Sequence, residues 1–460
     1  RLTFSGNTLT IDPTWTLEGS ADFYVKLASG AVNVGDSANP GVSNQSLSFR
    51  TGVETTNDAG DATLRDQFPG TSSETIGGHN ALYIRVTYSD LNRTPQTLDD
   101  ARLVMDDVAA YYQDNSRGRM TLTTTYTPVV TLDFSWQWET TYDYDIDGLA
   151  VIQSAARQKA FEMGYDPSQY NVIVVRVDQA LRDGASWGGG DSAWLGWGGP
   201  DVAEHEIGHT LDLGHSNSLT WDGQYNEYGN GLDIMGSGSG DYVNAKKIGL
   251  GWMGASQVLT DPGAGIYRIY AQEQTNSVIG RYYGLQQVIP KDILTNDPTY
   301  GGANATYNFE YRPVDGGAYA NSLIIYRNDL EMKFVPGGVE DLGITLGKTY
   351  KLPGSDAFFT VVSKGDGYLD VAYQQGPFPD NVAPSATLSA SASTVKTNDS
   401  VTFTAAGIDA NGDELVYRWS FSDGVVGVGS TFTRAFTQAA QTDVTVTLDV
   451  TDMHGGTAQQ

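Results

Sequence analysis

Apolar residues between positions 81 and 177 switch repeatedly between strand-like and helix-like spacing. Residues 81–88, 120–126 and 171–177 are rich in β-branched and aromatic side chains, which favours strands. Two intervening runs place apolar residues three or four positions apart, which indicates one buried face of a helix. The first run comprises Leu98, Ala101, Met105, Val108 and Tyr112, and the second comprises Leu149, Ile152, Ala156, Ala160 and Met163. Strands that alternate with helices predict an α/β domain.

The ends of these two helices carry local signals of their own. Thr97, with Asp100 three residues later, is the predicted N-cap of the first helix. Gly164 directly follows the last apolar residue of the second run and is placed to end that helix. Both helices therefore have predicted boundaries as well as predicted buried faces.

The segments on either side of this region lack helical spacing. Residues 1–77 are rich in Ser, Thr, Gly and Asn with short alternating stretches, which predicts a small β module or a pro-segment. Beyond residue 254 the chain is predicted to be β-rich, and a Pro-rich linker then leads to alternating residues typical of a β-sandwich. The predicted domains are 1–77, 78–256, 257–375, the linker 376–384, and 385–460.

Composition narrows the classes of partner. The 460 residues include 27 Lys and Arg against 55 Asp and Glu, a formal charge of −28, which repels nucleic acid and anionic membranes. No apolar run approaches the roughly 20 residues of a bilayer-spanning helix. The chain contains no Cys, so any metal must be held by His and carboxylates. The chain begins at Arg1 without a visible signal peptide, which fits a processed, secreted form.

The motif with the clearest chemistry is His205-Glu-Ile-Gly-His209. On a helix, positions four apart lie on one face, so both imidazoles can reach one ion. Glu206 points about 100 degrees away around the helix and is predicted to act as a base toward a zinc-activated water, whose pKa falls from about 15.7 to roughly 7. Three of the five His in the chain fall between positions 205 and 215, which argues against scattered structural histidines.

A catalytic zinc site needs three protein ligands and one open position. Two residues compete for the third ligand. His215 reaches the ion if the helix ends sharply after His209, whereas Glu227 would need a second helix to present it. Residues 217–231 are polar and lack helical periodicity, so His215 is preferred.

The segment HEIGHTLDLGH resembles the extended metzincin motif, with two His on a helix and a third beyond a turn. Residues 228–236 (YGNGLDIMG) resemble the metzincin Met-turn, and residues 244–252 are similar to gametolysin-like peptidases. The resemblance implies a metzincin-like fold, a twisted sheet with an active-site helix, and a hydrophobic floor at Met235. Asp212 replaces the family glycine; Asp tolerates the left-handed conformation required there, and it could also hydrogen-bond a ligand His.

Two further segments suggest binding. Residues 184–200 contain Trp187, Trp194 and Trp197 in a Gly-rich stretch. This stretch precedes the motif helix where metzincins keep a substrate-binding edge strand, so Trp187, Gly188, Gly189, Trp194 and Trp197 are candidate substrate contacts; the alternative is a loop with structural Trp rings. Residues 143–147 (DYDID) could bind Ca²⁺ through spaced carboxylates, but they lack the full loop pattern, and such a segment is more often a solvated acidic turn.

The C-terminal residues resemble a PKD domain, an immunoglobulin-like sandwich. The resemblance is carried by Asp409-Ala-Asn-Gly-Asp413, by Trp419 and Phe421 on one inward face, and by a turn at Asp423-Gly424. Such modules accompany secreted bacterial enzymes as spacers or as aids in engaging insoluble polymers.

The combined expectation is a secreted, zinc-dependent endopeptidase that cleaves internal bonds of protein substrates. The competing class is a silent adhesin with a structural metal, and the presence of Glu206 argues against it because a structural site fills its fourth position. Residues 1–77 could also be an inhibitory segment that blocks the zinc with Asp22 or Asp36, or by occlusion.

Overall fold

The computed structural model describes most of the chain from residue 75 onward, together with four short strands before it. The described ranges are 2–5, 8–11, 22–27, 45–50, 75–90, 96–133, 146–177, 186–196, 198–220, 225–254, 257–272, 281–289, 305–313, 322–328, 330–333, 343–352, 354–437 and 442–460. In the N-terminal segment, β1 (Leu2–Ser5) pairs with β2 (Thr8–Ile11), and β3 (Asp22–Leu27) pairs with β4 (Gln45–Arg50), both antiparallel. Asp36 and residues 143–145 of the predicted calcium segment lie outside these ranges.

A six-stranded sheet forms the first large unit. Its strands are β5 (Gly77–Tyr88), β6 (Met120–Tyr126), β7 (Val130–Leu132), β8 (Val172–Arg176), β9 (Ser186–Gly189) and β10 (Ser192–Leu195). The order is β6-β5-β8-β10-β9, and β7 pairs with the end of β5. All pairs are parallel except β9 with β10. β5 begins at Gly77, so the strand starts earlier than residue 81, where the sequence places it.

Helices cover both faces of this sheet, which is why every residue of β8 is buried. The helices are α1 (Leu98–Asn115), α2 (Ile146–Glu162) and α3 (Pro200–Thr210), with a 3₁₀ turn at Pro167–Gln169. Ala101, Met105, Val108 and Tyr112 of α1 are buried in one cluster with Ala203 and Ile207 of α3, and Ile152, Ala156 and Ala160 of α2 belong to the cluster on the other face. Thr97 Oγ1 accepts from the backbone N–H of Asp100 at 3.1 Å, as the capping signal predicts.

In the second unit, the residues that the structure describes form strands and one short helix, α4 (Asn244–Gly249). An eight-stranded sheet contains β11 (Ser218–Thr220), β12 (Tyr225–Asn226), β13 (Val258–Thr260), β15 (Gly284–Ile289), β16 (Ala305–Tyr311), β17 (Ser322–Arg327), β18 (Leu330–Lys333) and β19 (Ile344–Thr345). A four-stranded sheet contains β14 (Gly265–Tyr270), β20 (Thr349–Lys351), β21 (Ala357–Gly365) and β22 (Tyr368–Gln375).

The eight-stranded sheet crosses the boundary predicted at residue 256. β11 pairs in parallel with β18, so that Ser218 lies opposite Glu331. The chain therefore enters this sheet only a few residues after His215. Periodicity could not show this pairing, because a parallel ladder joins segments that are far apart in sequence.

The C-terminal unit is a sandwich of two antiparallel sheets. One contains β23 (Ser385–Ala390), β24 (Ser400–Ile408) and β27 (Thr431–Ala435), and the other contains β25 (Val416–Phe421), β26 (Val426–Val428), β28 (Val446–Thr451) and β29 (Thr457–Gln459). Trp419 and Phe421 are buried between the sheets, and Gly424 has φ +89° in the turn. The described chain is thus mostly β, with four α-helices. None of these helices has the length and apolar character that crossing a bilayer requires.

Candidate metal centre

Helix α3 carries the first two histidines of the motif on one face. Pro200 opens the helix after Gly199, where a missing N–H costs nothing. The ring centroids of His205 and His209 lie 4.9 Å apart, one helical turn from each other. Gly208, between them, has room only for a hydrogen atom, because a Cβ there would lie 2.5 Å from Met235 Sδ.

The helix ends in a Schellman turn that reverses the chain. Asp212 N donates to His209 O at 3.1 Å, and Leu213 N donates to Gly208 O at 3.3 Å. Asp212 occupies the left-handed position of this turn with φ +64°. Asp212 therefore adopts a conformation that glycine reaches most easily, and His215 returns toward the helix.

The three imidazoles meet at one point. One ligand atom from each of His205, His209 and His215 lies within 4.8 Å of the others. The centroid of the His215 ring is 5.6 Å from that of His205 and 5.0 Å from that of His209. Glu227, the other candidate for third ligand, is absent from this set.

Each of the three rings has an oxygen acceptor at Nδ1. His205 Nδ1 lies 2.7 Å from Ile234 O, His209 Nδ1 lies 2.7 Å from Leu213 O, and His215 Nδ1 lies 2.9 Å from Glu227 Oε1. Carbonyl and carboxylate oxygens only accept, so Nδ1 must carry the proton in every ring. The lone pair of a neutral ring is then on Nε2.

Burial also favours neutral rings on α3. It lowers the pKa of His205, and it lowers the pKa of His209 to about 4. Both imidazoles are therefore uncharged near neutral pH, the form that binds metal ions.

Asp212 has a different part in the site from the hydrogen bond suggested by the sequence. Its side chain is exposed, and all three Nδ1 atoms have other partners. The contribution of Asp212 visible in the structure is its backbone conformation.

Glu206 lies on α3 between the two histidines and is 7% exposed. Burial raises the pKa of its carboxyl group to about 8. Glu206 lines a cleft of about 350 Å³ together with His205, Tyr228, Ser186, Asp201 and Ile234, among others. Glu206 and His205 thus line the same open space.

Met235 is fully buried beneath α3, against Gly208 and Tyr242. The loop that carries it is closed by Asp233, whose carboxylate accepts from Met235 N at 2.8 Å and from Val243 N at 2.9 Å. Glu310 of β16 accepts from Asn244 N at 2.6 Å and holds the same loop from the β unit. The sequence singled out Met235 but missed Asp233, which neighbours it and looks like an ordinary polar turn residue.

The two tryptophan residues of β9 and β10 that the structure describes, Trp187 and Trp194, do not line the cleft. Trp187 and Trp194 are opposite one another in the β9–β10 pair, so their side chains share a face of the sheet. Trp194 is 2% exposed and packs in the cluster on the α2 side, away from α3. The tentative contacts at Trp187 and Trp194 are therefore corrected, and Trp197 lies outside the described residues.

The glycines of β9 have a packing role. Gly188 faces α3, where a Cβ would lie 1.9 Å from Glu206 O. A Cβ on Gly189 would instead meet the Trp187 ring at 3.1 Å. Ser186, on the same face as Gly188, is the residue of β9 that reaches the cleft.

A second group of possible metal ligands lies in the C-terminal sandwich, formed by Asp409, Asp413 and Asp452. The Asp452 carboxylate accepts from the backbone N–H of His454 and Gly456 and from Asn381 Nδ2. Its oxygens already serve as acceptors for protein groups. Asp409 Oδ1 likewise accepts from the backbone N–H groups of Asn411 and Asp413.

Comparison with known proteins identifies one part of the chain. The family model described as PKD domain matches residues 381–460, which confirms the resemblance of the C-terminal sequence. No curated protein matches the chain. Residues 381–460 are therefore a PKD domain. This domain follows the unit with the six-stranded sheet and the unit with the eight-stranded sheet.

Proposed function

We propose that this protein is a zinc-dependent endopeptidase of the metzincin type, with His205, His209 and His215 as ligands. The observation that carries the proposal is the shared arrangement of the three rings. Each ring is hydrogen-bonded at Nδ1, which leaves the lone pair of the neutral ring on Nε2, and one ligand atom of each lies within 4.8 Å of the others. Glu206 lines the same cleft as His205. The Met-turn resemblance adds to it, because Met235 is packed beneath the helix.

The donor set fits zinc. Three imidazole nitrogens are a known ligand set for catalytic Zn²⁺, and the fourth position of such sites stays open to the cleft. When bound, Zn²⁺ supplies a Lewis acid that polarises the scissile carbonyl and activates water for attack. The chain contains no Cys, so thiolate sites that close all four positions are excluded.

Glu206 is proposed to move the proton during hydrolysis. In its ionised form, whose share grows as pH rises through the raised pKa of about 8, Glu206 would accept a proton from the attacking water and deliver it to the leaving amine, a general acid–base role. The main chain of α3 fixes the position of Glu206, because its carbonyl oxygen packs directly against Gly188 of β9. His205, His209 and His215 hold the ion and take no part in proton transfer.

The substrate is proposed to bind along β9. Among the described strands, β9 ends its sheet, so its outer backbone groups suit an extended peptide that adds as a further strand. Ser186 connects this strand to the cleft beside Glu206. The proposal assigns the contact to backbone atoms and Ser186, in place of the Trp rings. A secreted location and protein substrates remain part of the proposal.

The test compares wild type with Glu206→Ala for digestion of casein or gelatin, with zinc content measured for both. Glu162→Gln, on the exposed end of α2, is the control for loss of a carboxylate elsewhere. We expect equal zinc in all three proteins, with cleavage lost only in Glu206→Ala, by 100-fold or more on the order expected for a general base. Unchanged cleavage in Glu206→Ala would remove Glu206 from the mechanism.

A further inference from the structure

His215 differs from the other two histidines in the group that holds it. His205 and His209 are bonded to backbone carbonyls, whereas His215 is bonded to a side chain, Glu227, at 2.9 Å. His215 also lies beyond the helix, so α3 does not fix its ring as it fixes the rings of His205 and His209. Its orientation therefore depends more on the groups around it.

Tyr228, which directly follows Glu227 in the chain, packs on the His215 ring. The ring centroids of Tyr228 and His215 are 3.9 Å apart with an interplanar angle of 36°, and the Tyr228 ring stacks at 6.0 Å on His205. A ring in this position restricts rotation of the imidazole about its side-chain bonds. The Tyr228 side chain is nevertheless 41% exposed, so it is not buried as an ordinary core residue.

The backbone holds Glu227 and Tyr228 in place. Tyr228 has φ +57°, and its N–H donates to Asn217 Oδ1 at 3.0 Å. Gly229 N donates to Asn226 O at 3.1 Å, and Gly229 packs so closely on Ser218 that a Cβ would lie 2.1 Å from Ser218 Oγ. The segment is thus attached to β11 and β12, which belong to the eight-stranded sheet.

We propose that Glu227 and Tyr228 are positioning residues that act through His215, an inference that rests on the proposed zinc site. Glu227 accepts the Nδ1 proton of His215 and so keeps Nε2 as the lone-pair nitrogen. Tyr228 holds the plane of the ring so that Nε2 points toward His205 and His209. Glu227, which the sequence offered as a rival ligand, supports the ligand His215 instead.

Glu227 and His215 are both partly exposed to solvent, so their contact is expected to matter more for metal binding than for folding stability. The side chain of Glu227 is 60% exposed and that of His215 is 24% exposed. Polar side-chain contacts at such exposed positions contribute little to folding stability. Removal of the Glu227 carboxylate should therefore change metal affinity while leaving the stability of the metal-free protein nearly constant.

The first measurement is the Zn²⁺ dissociation constant of the full chain by competition with a chromophoric chelator. Glu227→Gln is expected to bind about 10- to 100-fold more weakly than wild type, the usual effect of losing a carboxylate behind a ligand His. Tyr228→Ala is expected to weaken binding, and Tyr228→Phe to restore it, because the ring is the part that packs on His215. Glu162→Gln should match wild type.

The second measurement needs neither metal nor activity. In protein labelled with ¹⁵N at its five His, His215→Gln removes one set of ring signals and so assigns His215. Wild type is expected to show the proton on Nδ1 of His215, and Glu227→Gln to show a mixture of both tautomers. Equal tautomers and equal zinc affinity in wild type and Glu227→Gln would overturn the proposal. Absence of peptidase activity, with these shifts present, would contradict only the proposed function.

Discussion

Gly188 packs so tightly against Glu206 that a Cβ atom on it would lie 1.9 Å from the Glu206 carbonyl oxygen. This contact joins the end strand of the first sheet to the helix that bears the histidines. Because the obstacle is backbone, it cannot be relieved by a side-chain rotation, and either β9 or α3 must move.

Gly188→Ala is accordingly expected to lower the free energy of unfolding by about 1–3 kcal/mol. Urea denaturation checks this. Gly78→Ala is the matched control, because a Cβ on that exposed glycine of β5 would meet its nearest neighbour, Thr121 Oγ1, at 3.8 Å. Equal stabilities of the two variants would contradict the packing described for β9 and α3.

Asp233 is fully buried and closes the Met235 loop with two backbone hydrogen bonds. Asp233→Ala leaves the N–H groups of Met235 and Val243 without their acceptor, and each such loss costs about 1–3 kcal/mol. We expect a stability loss of at least about 2 kcal/mol by urea denaturation. Asp233→Asn keeps one acceptor oxygen and should lose less; a larger loss for Asn than for Ala would argue against this reading.

Asp212 should accept glycine. The residue has φ +64°, where glycine carries no Cβ penalty. We expect Asp212→Gly to leave zinc binding unchanged and to leave stability unchanged or raise it by up to about 1 kcal/mol. Asp212→Val, with a β-branched side chain in the same turn, should lower both. Thermal unfolding and zinc content measure the two effects, and loss of zinc in Asp212→Gly would show that the carboxylate itself is needed.

The ion pair between Arg268 and Asp370 predicts a pH dependence of stability. Hydrogen bonds from Arg268 at 2.8 Å and 3.1 Å hold the pKa of Asp370 below its usual range. A carboxyl group with a lower pKa in the folded state contributes stability above its unfolded pKa of about 3.9 and loses it as pH falls through the folded pKa.

Asp370→Asn removes that contribution. Stability of the variant, measured by urea denaturation from neutral pH down to about 2.5, should fall less on acidification than that of wild type. The two proteins should differ most above pH of about 4 and converge at the acidic end. Parallel curves would show that Arg268 has no net effect on the titration of Asp370.

The spacing of apolar residues and of histidines was sufficient to predict helices α1 and α3, which support the histidine site. Ala101, Met105, Val108 and Tyr112 form the buried face of α1 because apolar residues three and four apart share one side of a helix. The spacing of His205 and His209 likewise placed both rings on one face of α3, and the residues after His209 indicated a turn. These features depend on neighbours within a few residues.

The sequence did not predict features that depend on the pairing of strands far apart in the chain. Trp187 was assigned to the cleft, but the register of β9 against β10 turns its side chain to the opposite face of the sheet. A strand places alternate side chains on opposite faces, so a shift of one residue reverses every assignment. The sequence offers Glu227 as a possible ligand on a second helix, whereas the structure places it beside β12 with its carboxylate at Nδ1 of His215. Nothing in the neighbouring residues indicates this position.

The most direct test of the account is zinc K-edge X-ray absorption on the zinc-loaded full chain, with metal content measured on the same sample. We expect one zinc per chain with three imidazole nitrogens at about 2.0–2.1 Å and one further light-atom neighbour, and loss of bound zinc in His215→Gln. A spectrum with fewer than three imidazoles, or an unchanged spectrum and zinc content in His215→Gln, would contradict it.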